Sequence, residues 1–418
     1  VLFVKRKLAE LLIIGLAIAL PVAVSTYIHH PDTYVPIYGL KYSDIVYGLY
    51  YSIFNPSEDR VLDRWFNLSD FNRFKYGGLS CPIPYVHYKF EYPPVVGVLW
   101  YISTCTGFSL SKSLDEAVRI HYLVQAITLS AFHATLILSL HALIRSRSGG
   151  DALKLLLFLL PSTLIYLVYN WDVIAAAFAV IGILCALKSR WFYSGLSQGL
   201  SISSKFLTLS VSYYYVVKLA TLHERRDLLK FIVGLFIGAA VPMITLLLVS
   251  PVGFNKLISH HASWYCENCI YLLVVRDIWS DLHRRLFFSI AALLALAYPL
   301  LANPWRGIEF DVESKYLFAG VSSLVLFNYV FSPQMLLLIT PLAILALDKR
   351  QLLVYAMVDV FNALIILTFF EFEKPHEFGS IPQYMASARN LLLLIIFISA
   401  VVSIMGRKLE SLERGGES

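Results

Sequence analysis

The chain has 418 residues, 58% hydrophobic and only 15% charged, with a formal net charge of +6. Soluble domains carry about 25% charged residues. The shortfall, a mean hydropathy of +0.67 and repeated apolar runs of about 15–23 residues exclude a soluble enzyme and point to an all-α polytopic membrane protein. Unbroken apolar blocks such as 155–160 do not alternate as barrel strands do. No basic cluster is long or aromatic-interleaved enough for nucleic acid, so loop bias at a membrane accounts for the positive balance.

In chain order, Lys5-Arg6-Lys7 precede an apolar run at 8–27. The pattern resembles a signal peptide, but no small-residue cleavage site follows and further apolar segments come later. An uncleaved first span with a cytoplasmic start is therefore expected. The polar stretch 29–116 then becomes a first extracytoplasmic loop. Its Tyr, Pro, Asn and Asp content predicts turns and interfacial helices, not a separate packed domain. Asn67-Leu68-Ser69 is a glycosylation sequon on that placement. Within the loop, the short proline-led segment 93–108 is expected to lie at the interface with Trp100 and Tyr101 at headgroup depth. An ordinary transmembrane helix is the alternative.

The later apolar segments alternate in sidedness. Residues 117–144 cross inward to Arg145 and Arg147, 153–169 return outward to Asn170-Trp171-Asp172, and 173–187 lead in to Lys188 and Arg190. Segments 192–206 and 207–219 are each too short for an upright span. They are expected as a broken or re-entrant pair with Lys205 near its outer tip. Residues 228–249 lead out to a second extracytoplasmic loop, 250–285. Segments 286–301, 316–330, 335–347, 352–369 and 386–405 complete the alternation, with a third outward loop at 371–384. This gives roughly twelve transmembrane helices in a single domain, 1–418, with both termini cytoplasmic at the cell membrane. Every short loop assigned inside carries at least two Lys or Arg, whereas the outward turns at 169–172 and 330–334 carry none. Tyr193, Gly195, Gly199 and the serines through Ser204 predict close helix packing.

Five cysteines are scattered. Cys266-Glu267-Asn268-Cys269 is the one suggestive spacing, close to His260 and His261. It lacks the second ligand pair of a zinc site, so no metal is assigned; a disulfide and two unrelated thiols both stay open.

On this topology Asp44, Glu91, Asp172, Lys205, His260, His261, Glu267, Arg276, Gln334 and His376 all fall at outward loop ends or just inside them. Function is expected on that face, where nucleotide-activated substrates are absent. No Walker or Gly-x-Gly-x-x-Gly phosphate loop occurs, so an activated donor would be membrane-borne.

Five stretches then stand out together: Tyr42-Ser43-Asp44, Tyr92-Pro93-Pro94, Asn170-Trp171-Asp172, Gly195-Leu196-Ser197-Gln198-Gly199-Leu200 followed by Lys205, and Ser332-Pro333-Gln334. In order and sidedness, over residues 40–345, they resemble the GT-C superfamily of polyprenyl-phosphate-sugar-dependent glycosyltransferases, especially its archaeal and bacterial mannosyltransferase-like branch. A proline that commonly follows the lysine there is absent from Phe206-Leu207-Thr208-Leu209. The resemblance implies transfer of one sugar, a hexose such as mannose, with inversion at the anomeric carbon. The donor would be a polyprenyl-phosphate sugar and the acceptor a glycan, glycolipid or protein, with no bound cofactor.

The chemistry of such a transfer sets its own demands. An acceptor hydroxyl needs a carboxylate to take its proton, and a leaving lipid phosphate needs cations or donors in a dry site. A single displacement with inversion needs one base and no nucleophilic carboxylate. By its place in the first loop Asp44 matches the family's catalytic carboxylate, with Asp172 the second candidate. Lys205, His260, His261 and Arg276 are candidates for the donor phosphate, and Glu91, Tyr92, Glu267 and Gln334 for acceptor or sugar. Simpler roles stand beside these: Ser43 or Asp44 capping a helix at 45–54, Asn170 or Asp172 capping the next span, Lys205 snorkelling, Glu91 solvated. A transporter or lipid flippase is the alternative class. Acids at span ends, not centres, and the lack of a halves repeat count against it.

Overall fold

The computed structural model describes residues 2–55, 81–146, 151–301 and 309–415; the sequon at Asn67 lies outside them. Within them the chain is helical and contains no strand. The longer helices are α1 (Leu2–His29), α2 (Pro94–Leu110), α3 (Leu114–Arg145), α4 (Asp172–Leu187), α5 (Trp191–Ile202), α6 (Leu209–Thr221), α7 (Arg225–Val249, with a π-helical stretch Phe236–Ala240), α8 (Pro251–Ser263), α9 (Asp281–Leu301), α10 (Phe310–Leu326), α11 (Leu336–Ala346), α12 (Lys349–Phe369) and α13 (Ile381–Gly415). Among the described residues, five of these are long and apolar enough to cross a membrane: α1, α3, α7, α12 and α13.

Helix ends follow local chemistry. Ser113 Oγ accepts the Glu116 N–H at 3.2 Å while Glu116 accepts the Lys112 N–H at 2.7 Å, closing the start of α3 from both sides. Asp348 and Gln351 do the same at α12. Residues 153–169, expected as one span, are instead two short pieces, a 3-10 helix Ala152–Leu159 and a helix Pro161–Tyr166. Pro161 has no N–H to continue the ladder, and Leu160 before it is extended. The restarted helix is capped from α12: Asp359 Oδ1 accepts the Ser162 N–H at 2.9 Å.

The broken pair expected around Lys205 is α5 and α6, separated by extended Lys205 and a 3-10 turn, Phe206–Thr208. α5 crosses α7 with its backbone in contact. A Cβ at Gly199 would lie 2.6 Å from the Leu235 carbonyl oxygen. Added carbons at Gly195, Gly234 and Gly238 would meet the carbonyl oxygens of Phe231, Phe192 and Leu196 still closer. Each helix thus presents two glycines four residues apart, the small-residue face that lets helices touch. Gly199→Leu is expected to force the pair apart, costing about 1–3 kcal/mol or more. Thermal unfolding in detergent measures this, and an unchanged midpoint would mean that the crossing is not tight.

Buried aromatic residues anchor the first loop. Trp100 donates to the Tyr88 hydroxyl at 2.8 Å and Trp171 to Gln125 Oε1 at 2.9 Å. Tyr50 packs between Trp100, Phe108 and His121. The described part of the loop therefore uses the faces of α2, α3 and α4 as its core. Disulfides join Cys81 to Cys105 in α2 and Cys266 to Cys269.

Candidate active site

Asp44 begins a π-helical turn, Asp44–Tyr50, a winding that often marks functional positions. The cap is Ser43, whose Oγ accepts the Val46 N–H at 3.3 Å. Capping therefore does not consume the Asp44 carboxylate. The Tyr92 hydroxyl donates to Asp44 Oδ2 at 2.9 Å, and Asn170 Nδ2 donates both to that oxygen at 2.8 Å and to the Tyr92 hydroxyl at 2.9 Å. The Asp44 N–H reaches the Tyr169 carbonyl at 3.1 Å, so the backbone is pinned on the same side. Both side-chain bonds converge on Oδ2, which leaves Oδ1 to receive a proton. The residue is half-buried. Desolvation by the surrounding protein raises its carboxyl to about 7; the Asn170 and Tyr92 bonds pull it down, while the charges of Glu91 and Glu267 push it up.

Across Tyr92 lies an ion pair. Asp172 heads α4 with 1% of its surface exposed, and its Oδ1 is 2.9 Å from Lys205 Nζ. Its Oδ2 is buried with no hydrogen-bond partner among the described residues. Lys205 Nζ also stands 6.0 Å from the Tyr92 ring centre, and Tyr92 meets Trp171 edge to face at 4.6 Å. The lysine turn is tied at Ser203 to two elements: Val95 N–H bonds the Ser203 carbonyl at 3.1 Å, and Ser203 Oγ bonds the Gly238 carbonyl of α7 at 2.7 Å.

The second loop closes a third side. His260 Nε2 is 3.3 Å from Glu91 Oε2, and its ring packs on Trp264 at 4.6 Å. Trp264 donates to Glu267 Oε2 at 2.9 Å. Glu267 is held by its backbone, donating to the Tyr329 carbonyl at 3.0 Å and accepting from the Phe331 N–H at 2.8 Å. Burial, followed by the charges of His260 and Lys205, lowers His261 to about 4. At neutral pH it is a neutral hydrogen-bonding group, not the cation that a phosphate-binding role would favour.

Eight of the sequence candidates are thus linked through a continuous set of contacts and charge interactions: Asp44, Glu91, Tyr92, Asp172, Lys205, His260, His261 and Glu267. Arg276 is placed elsewhere, with its guanidinium 4.9 Å over the Phe378 ring. Gln334 is buried in the turn Pro333–Met335 that opens α11. His376 bonds the Tyr265 hydroxyl at 2.9 Å.

Two members were not legible as site residues. Asn170 is the donor that orients Asp44, whereas its sequence position suggested only a cap. Tyr85 adopts a left-handed φ of 66° and donates to the Tyr92 carbonyl at 2.5 Å, while Ser250 Oγ bonds the Tyr85 carbonyl at 2.7 Å. That turn ties the second loop to Tyr92, and a tyrosine in this backbone region carries no sequence signature.

Comparison with the models of known protein families, with curated proteins and with solved structures found no match.

Proposed function

We propose that the protein is an integral-membrane inverting glycosyltransferase. It would move a hexose such as mannose from a polyprenyl-phosphate donor to a glycan, glycolipid or protein acceptor on the extracytoplasmic face. The carrying observation is the Asp44 carboxylate: one oxygen fixed by Tyr92 and Asn170, the other open, and its protonation brought near neutral pH. A base is most effective when its pKa lies near the working pH. Asp44 would take the acceptor hydroxyl proton as that oxygen attacks the anomeric carbon. Lys205, sharing its charge with Asp172, would meet the departing lipid phosphate from the other side of Tyr92. Glu91, His260 and Glu267 supply acceptors and donors suited to sugar hydroxyls. In this reading the shorter apolar helices also enter the membrane, giving roughly twelve spans with cytoplasmic termini.

Polar groups inside the helical bundle lend transport little support. Asp359 caps the helix at Pro161, and Asn362 Nδ2 bonds Ser162 Oγ and the Pro333 carbonyl at 2.9 and 2.8 Å. They fasten helices together.

The test uses purified full-length protein in liposomes with polyprenyl-phosphate hexoses and a panel of acceptors. Release of polyprenyl phosphate with an inverted sugar linkage is expected. A retained anomer, or movement of the lipid across the bilayer without transfer, would overturn the assignment. Asp44 also sets a pH signature: activity should rise as pH passes about 7, where the carboxyl ionises. Asn170→Ala removes a bond to the ionised form and should move that limb to higher pH. Glu91→Gln removes a like charge and should move it lower. Coincident pH–rate profiles for the three proteins would exclude Asp44 as the group being titrated.

A further inference from the structure

Cys266 and Cys269, on either side of Glu267 in sequence, belong to a small buried cluster separate from the main core. Their Cα atoms are 5.6 Å apart across a loop turned by Asn268, whose φ is 52°. The loop is held firmly: the Asn268 carbonyl accepts from Arg389 Nη2 at 3.0 Å and from Asn390 Nδ2 at 2.9 Å, and its side-chain oxygen accepts from Gln383 at 2.8 Å. From the first turn of α9, His283 brings a ring nitrogen to the sulfurs. The three donor atoms lie within 4.8 Å of one another, and all three residues are buried.

His283 is 1% exposed, yet its Nδ1 has no hydrogen-bond partner among the described residues. Its Nε2 is 2.7 Å from the Asp277 carbonyl oxygen. A carbonyl only accepts, so Nε2 carries the proton and Nδ1 presents a lone pair. A buried imidazole grouped with two sulfurs, one ring nitrogen donating to a backbone carbonyl and the other left without a partner among the described residues, has the make-up of a metal-binding histidine with its outer-shell partner. Leu272, Ile278, Leu286, Phe287 and Phe327 surround the group with apolar surface.

In the structure the two sulfurs are bonded to each other. We propose that this disulfide is the oxidised form of a three-coordinate site for one soft monovalent cation, Cu(I). A dithiol or phosphine reductant would deliver two electrons to the S–S bond and two protons would follow, giving two thiols. Cu(I) then binds through both sulfurs and His283 Nδ1, the two thiol protons pass to solvent, and the metal keeps its oxidation state. Thiolate and imidazole donors suit Cu(I) and Zn(II) alike, but zinc held by three protein ligands needs a water as its fourth, which the apolar side chains around this group disfavour. No fourth His, Cys, Asp or Glu joins the group among the described residues. The bound site would carry one negative charge, offset by the guanidinium of Arg389 in α13, which donates to the Asn268 carbonyl of the same loop.

The experiment titrates full-length protein in detergent with Cu(I), anaerobically after phosphine reduction, against a chromogenic Cu(I) chelator. Cys266→Ser/Cys269→Ser protein measures background from the other cysteines. One additional Cu(I) per chain is expected in the reduced wild type and none before reduction. His283→Ala should weaken that binding by at least the roughly 10–100-fold that loss of an outer-shell partner costs. X-ray absorption at the copper edge of the wild type gives a second reading that needs no histidine variant to fold, with two sulfurs and one nitrogen expected. Background binding only, an all-sulfur shell, or unaltered affinity in folded His283→Ala protein would each overturn the proposal.

Discussion

Asp44→Asn is expected to lower turnover by about 10²–10⁴-fold, the usual contribution of a positioned general base, while leaving donor-lipid binding intact. The substitution keeps the shape and an oxygen for the Tyr92 hydroxyl, and it removes only the ability to accept a proton. Sugar-transfer assays and a separate donor-binding measurement read the two halves. The same carboxyl also predicts a stability signature. Its folded-state value of about 7 lies above the ordinary 3.8, so between these values the folded chain holds a proton that the unfolded chain has lost. Stability from this group is therefore complete below the ordinary value and is lost as pH rises through about 7. The Asn variant carries no such loss, and its unfolding midpoint at pH 8 should equal or exceed that of the wild type. Normal transfer by the variant would remove Asp44 as the base. Lost donor binding would recast it as a positioning residue.

Arg389→Met should be the most destabilising single change. Arg389 is fully buried in α13. It donates to Asn362 Oδ1 at 2.8 Å, to the carbonyls of Asn268 and Phe331 at 3.0 Å each, and to Asn390 Oδ1 at 3.1 Å. Its guanidinium also lies 3.5 Å over the Phe331 ring. One side chain thus ties α12, the Cys266–Cys269 loop and the strand-like residues before Pro333 to α13. Methionine fills most of the space but leaves the Phe331 carbonyl and the Asn362 side-chain oxygen without this donor, at about 1–3 kcal/mol each, and the Asn268 carbonyl with Asn390 alone. A total loss of about 3–5 kcal/mol is expected, as when one partner of a buried ionic contact is removed. Thermal or denaturant unfolding in detergent would register it. A loss under about 1 kcal/mol would mean that the carbonyls find other partners.

The grouping of the polar residues at span ends was the part of the site that the sequence made legible. Positive loops on one face, and acids with one lysine at the opposite span ends, selected Asp44, Asp172, Lys205 and Glu91, and these do converge. The broken pair around Lys205 was legible from segment length, and the α5 face from Gly195 and Gly199. Its partners Gly234 and Gly238 read as ordinary residues of an apolar run. Arg389 is a charge inside an apolar segment, a pattern that calls for buried partners. What those partners are could not be inferred, because Asn268 and Phe331 lie 121 and 58 residues away. Asn170 was hidden for the same reason: its bond to Asp44 spans 126 residues. The break at Pro161 was visible as a proline, but hydropathy alone favoured a continuous span.

The linked groups at Tyr92 hold more acid than base. Asp44, Glu91, Asp172 and Glu267 stand against Lys205 and the His260 paired with Glu91, with His261 neutral. An anionic phosphate arriving there meets like charge, and the least costly relief is to carry a proton in with it. Donor binding should therefore take up protons from the medium and weaken as pH rises past about 7, the range in which turnover improves. Calorimetry of donor binding in buffers of different ionisation enthalpy would count those protons, and a slope of zero would show that the charges are balanced in some other way. Because the bound donor would hold the proton more tightly while the base acts ionised, the pH limb of kcat should lie above that of kcat/KM, which rises through about 7 and levels off.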